Sequence, residues 1–169
     1  SDVYKRQSLN CGLGSDDNKE NVLKEAFSRI ASVEPDRWLP PILGPEWNYR
    51  RRARLGVRYV KGKGRVLVGF KERATRYVTD MGSCRVLVEP LDVFPGVLSE
   101  VISESSLHSR LPQAELVAGE DALAIVLRVL EEPTKKDIAL FSDISSKWQT
   151  DIYLQRGGHV SYTHLTLPT

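Results

Sequence analysis

The sequence predicts an α+β fold, a mainly antiparallel β-sheet with helices on one face. Two runs of alternating apolar residues flank "KGKG" at 61–64, and a second pair of strand-like runs flanks a turn at Gly119–Asp121. Between and after these pairs lie stretches whose apolar residues recur every three or four positions, as on a helix face. At 169 residues and 41% hydrophobic, the chain suits one globular domain.

Residues 1–18 show no periodicity and are expected to be non-native or disordered. From Asn18 the pattern becomes helical through Val22, Leu23, Ala26, Phe27 and Ile30, with Asp16 to Asn18 as N-cap candidates. "VEPDRWLPPILGPEW" then places four prolines in an extended linker, so that 19–47 reads as a helix and a Pro-rich linker. Trp38 and Trp47 in that segment are expected to pack onto the core.

Residues 48–158 form the main domain in this reading. Leu55, Val57 and Tyr59 alternate on one strand and Val66, Val68 and Phe70 on the next. A four-residue loop sets Val60 opposite Arg65, so the apolar pairs 59–66, 57–68 and 55–70 share a face. Leu91 to Ser106 reads as helical, with Pro95 dividing a short turn from a longer helix carrying Phe94, Leu98, Val101 and Ile102. "QAELVAGEDALAIVLRVLE" supplies two further strands. Pro133 opens a helix with Ile138, Phe141, Ile144 and Trp148, and "DIYLQ" adds a last strand. Residues 159–169 have no period and read as a non-native tail.

Charge is distributed unevenly. Residues 49–77 hold eleven lysines and arginines against one acid, a net +10, while the whole chain carries only +2. The remainder is therefore at −8, and one surface is set apart for a partner. In the predicted register the second hairpin face holds Arg52, Arg54, Gly56 and Arg58 against Arg65, Gly69, Lys71 and Arg73. Arg54 then opposes Lys71 and Arg52 opposes Arg73, which destabilises a ladder unless water or an anion intervenes. Gly56 and Gly69 face each other as a flat floor between cationic walls, where another chain can approach closely. Arg50 and Arg51 extend the basic set. An RNA phosphate backbone fits these features through bidentate guanidinium contacts; a solvated basic face, with glycines making room for a helix, fits them too.

Other classes find little support. The longest apolar run, Ala122 to Leu127, is far shorter than a membrane span of about 20 residues. Cys11 and Cys84 make no secreted disulfide framework, and the expected compartment is the cytoplasm. His108 reads as a surface residue, and neither it nor His159 or His164 has a partner spaced for metal or nucleophilic chemistry. On residue type alone, Cys84 reads as a small buried hydrophobe.

"WNYRRRARLGVRYV", "VGFKE", "DMGSC" and "RLPQAELVAG", in that order, resemble the central domain of the bacterial 23S rRNA uracil-C5 methyltransferases that carry an iron–sulfur cluster. The resemblance spans about residues 19–158. It implies a longer enzyme with an N-terminal OB-type domain, this RNA-contacting domain, and a C-terminal Rossmann-like domain that binds S-adenosylmethionine. There a cysteine adds to C6 of a flipped uracil before methylation at C5. The family's Ser-Cys-Asn-Pro nucleophile motif and a glycine-rich cofactor loop are missing here, so no catalytic residue carries over. Cys84 matches one of the four [4Fe–4S] ligands; Cys11 in "NCGLG" does not match the upstream triplet, and one thiolate cannot hold the cluster. The expectation is an inactive, monomeric fragment of an S-adenosylmethionine-dependent enzyme, binding ribosomal RNA, with no cofactor of its own. A stand-alone basic RNA-binding or ribosome-associated module is the alternative.

Overall fold

The computed structural model describes residues 15–72, 75, 77–156 and 162–165. The chain divides between Glu46 and Trp47 into two compact units. In the first, helix α1 (Ser15–Glu25) continues as a π-helical turn over Ala26–Ala31. Lys24 pairs with Glu20 one turn earlier at 2.6 Å. Trp38 meets the Phe27 ring edge-on at 5.7 Å and is itself 42% exposed, so it is not the core residue expected.

The second unit is a six-stranded sheet built from β1 (Arg52–Val60), β2 (Arg65–Gly69), β3 (Gln113–Ala118), β4 (Leu123–Val129), β5 (Asp151–Arg156) and β6 (Tyr162–Leu165). Its order is β2-β1-β3-β4-β5-β6, antiparallel except for the parallel β4–β5 pair. That parallel pair needs a crossover, which helix α3 (Lys135–Trp148) provides. Helix α2 (Phe94–Glu104) follows a short 3₁₀ turn at Leu91–Val93, with proline in its first turn, as the position of Pro95 predicts. Residues 162–165, which have no sequence period, add the edge strand beside β5.

Period-2 alternation sends Leu55 and Val57 of β1, Ala114 and Leu116 of β3, Ile125 and Leu127 of β4, and Ile152 and Leu154 of β5 into one core. Phe94, Leu98 and Ile102 of α2 and Phe141 and Ile144 of α3 close it from the same side. Each such large apolar side chain contributes roughly 1.5–3 kcal/mol on burial. Trp47 lies outside this core and stacks under the Arg85 guanidinium at 4.5 Å.

The edge of β2 is closed by α2. The Ser99 hydroxyl donates to the Val66 carbonyl at 2.5 Å, and the Ser103 hydroxyl accepts from the Val66 N–H at 2.8 Å. The Val66 backbone groups are thereby taken up and cannot recruit a foreign strand.

A capping box starts α3. The Thr134 N–H and hydroxyl donate to Asp137 at 2.8 and 2.7 Å, and the Asp137 N–H donates back to Thr134. The same carboxylate accepts from the N–H and hydroxyl of Ser106, in the loop after α2, at 2.8 and 2.6 Å. One buried acid thus ties two helices together. Burial opposes its ionisation, but the Ser106 and Thr134 hydrogen bonds outweigh that and lower the pKa to about 2 from 3.8. Because the folded value lies below the unfolded one, the stabilisation is complete above about pH 4 and is lost as pH falls toward 2. Asp137→Asn should cost about 2 kcal/mol at neutral pH and flatten the fall in stability between pH 4 and 2. Urea unfolding across that range checks both effects.

Candidate nucleic-acid interface

The β1–β2 register is the one the turn length predicts. Val60 faces Arg65, Tyr59 faces Val66, Val57 faces Val68 and Gly56 faces Gly69. The tip is a 3₁₀ turn, Lys61–Lys63, and Gly64 follows it at φ 63°, in the left-handed region that favours glycine.

Beyond Gly56 the expected ladder does not continue. β2 ends at Gly69, while along its other edge the first half of β1 pairs with β3: Arg52 with Val117, Arg54 with Glu115 and Leu55 with Ala114. The expected 55–70 apolar pair is therefore absent, as is the like-charge pair Arg54–Lys71; the expected Arg52–Arg73 pair falls, with Arg73, outside the described residues. On the opposite edge of β1, β3 places an acid, Glu115, beside Arg54.

Glu115 is the missing counter-charge. One carboxylate oxygen accepts from Arg52 at 3.2 Å and the other from Arg54 at 2.9 Å, while the Gln113 amide donates to the second at 3.1 Å. Asp80 serves the hairpin tip in the same way, with Arg65 at 2.6 Å and Lys63 at 3.0 Å. The guanidinium tips still face solvent, since the Arg52 and Arg54 side chains are 71% and 67% exposed.

The other basic residues divide by role. Arg58 is exposed on the outward parity of β1, in line with Arg52 and Arg54. Arg50 donates to the Arg52 carbonyl at 3.2 Å and lies over the Phe70 ring at 5.2 Å. Arg51 donates to the carbonyls of Ala118 and Gly119, tying β1 to the β3–β4 turn. Lys71 is exposed and bridges to Val78, with its stem crossing Gly56.

The glycine floor is occupied by the chain itself. A Cβ on Gly69 would stand 2.0 Å from the Thr79 carbonyl oxygen, and one on Gly56 would stand 2.9 Å from the Val78 side chain. Residues 70–72 and 77–79 run alongside each other, with the Thr79 N–H donating to the Phe70 carbonyl at 3.0 Å, and Val78 and Thr79 cover both glycines. The close approach that the glycines predict is real, but the approaching chain is residues 78–79 and not a ligand.

Cys84 is buried in the core cluster, its N–H donating to the Asp92 carbonyl at 2.8 Å. No three His, Cys, Asp or Glu side chains among the described residues converge on a metal-sized site. These residues do not fit a four-iron cluster. His108 is half-buried, its Nδ1 3.0 Å from the Ser105 carbonyl and its ring 4.5 Å from Tyr59, so it is a packing residue more than a surface one. No helix of the described residues is long and apolar enough to cross a membrane.

The curated relatives decide the ancestry. The chain is 46% identical over 143 residues to a 23S rRNA (uracil(1939)-C(5))-methyltransferase of Methylococcus capsulatus, covering 85% of this chain and 32% of that protein. The enzyme of the same name from Vesicomyosocius okutanii is 39% identical over 160 residues, covering 93% of this chain and 36% of the relative. The chain is homologous to a segment of the 23S rRNA uracil-C5 methyltransferases. It spans about a third of the length of these relatives. No family model matches the chain. A crystal structure of Pyrococcus abyssi tRNA (uracil-54, C5)-methyltransferase with S-adenosyl-L-homocysteine aligns with 68% of this chain and 29% of its own, at TM-score 0.47 and 18% identity, a likeness too distant to carry an argument.

Sequence reasoning did not find Glu115 or Asp80. Glu115 alternates with Ala114 and Leu116 on a recognisable strand, so its outward face was legible; its partner strand was not. The crowding at Gly69 yields a direct check. Gly69→Ala should destabilise by about 1–3 kcal/mol, because backbone must move. Gly62→Ala, which meets open space, should stay within about 0.5 kcal/mol. Urea titration of both variants checks the contrast.

Proposed function

We propose that the chain is the RNA-gripping portion of an S-adenosylmethionine-dependent 23S rRNA uridine-C5 methyltransferase, working in the cytoplasm on ribosomal RNA. The observation that carries this reading is the outward row Arg52, Arg54 and Arg58 on β1, with Arg65 and Lys63 at the hairpin tip, in a chain whose other residues are net negative. The core fixes the sheet, so the row presents guanidinium forks from a rigid surface. Such forks grip phosphate without reading sequence, and register on the RNA comes from several of them together. Lys71 sits on the same face beside Gly56 and extends it. Arg50 and Arg51, bonded to backbone carbonyls, hold the start of β1 in place. The homology along most of the chain to much longer methyltransferases favours this reading over a stand-alone RNA-binding module.

The RNA bound is single-stranded or looped, because uracil C5 becomes reachable only on an unstacked base. With four phosphate contacts, affinity should fall with salt at a log–log slope near −3, at roughly −0.7 per contact. Arg54→Ala with Arg58→Ala should weaken binding several-fold and bring the slope to about −1.5. Fluorescence anisotropy with a labelled RNA oligonucleotide, after circular dichroism shows the fold intact, tests this. A folded double variant with unchanged affinity and slope would remove the row from the interface.

The chain should transfer no methyl group by itself, because its sequence has neither the nucleophile motif nor a glycine-rich cofactor loop. Incubation with labelled S-adenosylmethionine and unmodified ribosomal RNA should leave the RNA at background. Incorporation above background would place a catalytic site within these residues.

A further inference from the structure

We propose that Glu115 and Asp80 are resident anions of the basic surface, each holding two of its cations until RNA phosphate takes them over, and so setting how tightly the surface binds. This rests on the RNA-binding reading above and concerns the regulation of that same surface.

The geometry has the same form at two separate places. Glu115 accepts Arg52 at 3.2 Å and Arg54 at 2.9 Å; Asp80 accepts Arg65 at 2.6 Å and Lys63 at 3.0 Å. In both, one carboxylate lies between two cations, as a phosphate would. Glu115 is the more buried member of its site, its side chain 17% exposed against 71% and 67% for its arginines, and Asp80 is 34% exposed against 47% and 50% for its cations. Gln113 holds Glu115 from the side at 3.1 Å. A guanidinium has five N–H donors, so each arginine keeps donors turned to solvent while paired.

The energies allow exchange. Exposed ion pairs are worth so little that phosphate, which also releases condensed counterions, competes well for the same cations. The bound state then leaves each carboxylate short of its partners, and that cost is subtracted from RNA affinity. The surface therefore discriminates against scattered anions and favours a backbone that engages both pairs together. If the acids served only to relieve repulsion during folding, their neutral isosteres would lower stability and leave RNA binding unchanged.

The test uses the full chain and a labelled mixed-sequence single-stranded RNA oligonucleotide, titrated by anisotropy across a salt series. Glu115→Gln and Asp80→Asn should each tighten binding about 2- to 5-fold and steepen the slope by about 0.7. Asp143→Asn, an exposed acid on α3, controls for net charge and should leave the slope unchanged. Circular dichroism and urea unfolding must show each variant folded; if one neutral isostere fails to fold, the other carries the measurement. Unchanged or weaker binding by the folded variants, or an equal gain from Asp143→Asn, overturns the proposal while leaving the RNA reading intact. A wild-type chain that shows no salt-dependent RNA binding ends both.

Discussion

The alternation of β1 is the constraint on which the rest depends. Nine residues, Arg52–Val60, place Ala53, Leu55 and Val57 in the core and therefore Arg52, Arg54 and Arg58 on the opposite face. A slip of one residue would bury three guanidinium groups and expose the apolar set, which no plausible rearrangement could compensate. The hydrophobic effect thus sets the position of the charges.

β1 also changes partner along its length, and that change shapes the electrostatics. Its second half pairs with β2 and its first half with β3, meeting at Gly56, which faces both Gly69 and Gln113. Had β2 continued, cations would have faced cations. On the other edge, the β3 pairing brings Glu115 opposite Arg54. Beyond the end of β2, Val78 and Thr79 cover the glycines, and Asp80, just after them, reaches Arg65 and Lys63. Charge balance at the surface therefore comes from both flanks of β1, Glu115 on β3 and Asp80 after the returning arm.

The helices make this arrangement durable. α2 covers the inner face and satisfies the Val66 N–H and carbonyl on the edge of β2 through Ser103 and Ser99. Asp137 joins the start of α3 to the loop that leaves α2. Both devices use short polar side chains to satisfy backbone donors and acceptors that would otherwise be left without partners.

Much of this was determined by local sequence. The turn length of "KGKG" set the register of the hairpin tip, Pro95 and Pro133 marked helix starts, and the outward parity of the β1 arginines followed from alternation alone. The ordered motifs also identified the family segment, because four short runs in fixed sequence are far more specific than any one of them. What the tertiary structure decided is which strand lies beside β1's first half, what covers Gly69, and which acids meet the arginines. The halves of those contacts stand far apart in the chain, Arg54 and Glu115 being partners only because the sheet brings them together. Local periodicity states which way a side chain faces, but the neighbour it finds there is chosen by burial and strand order across the whole sheet.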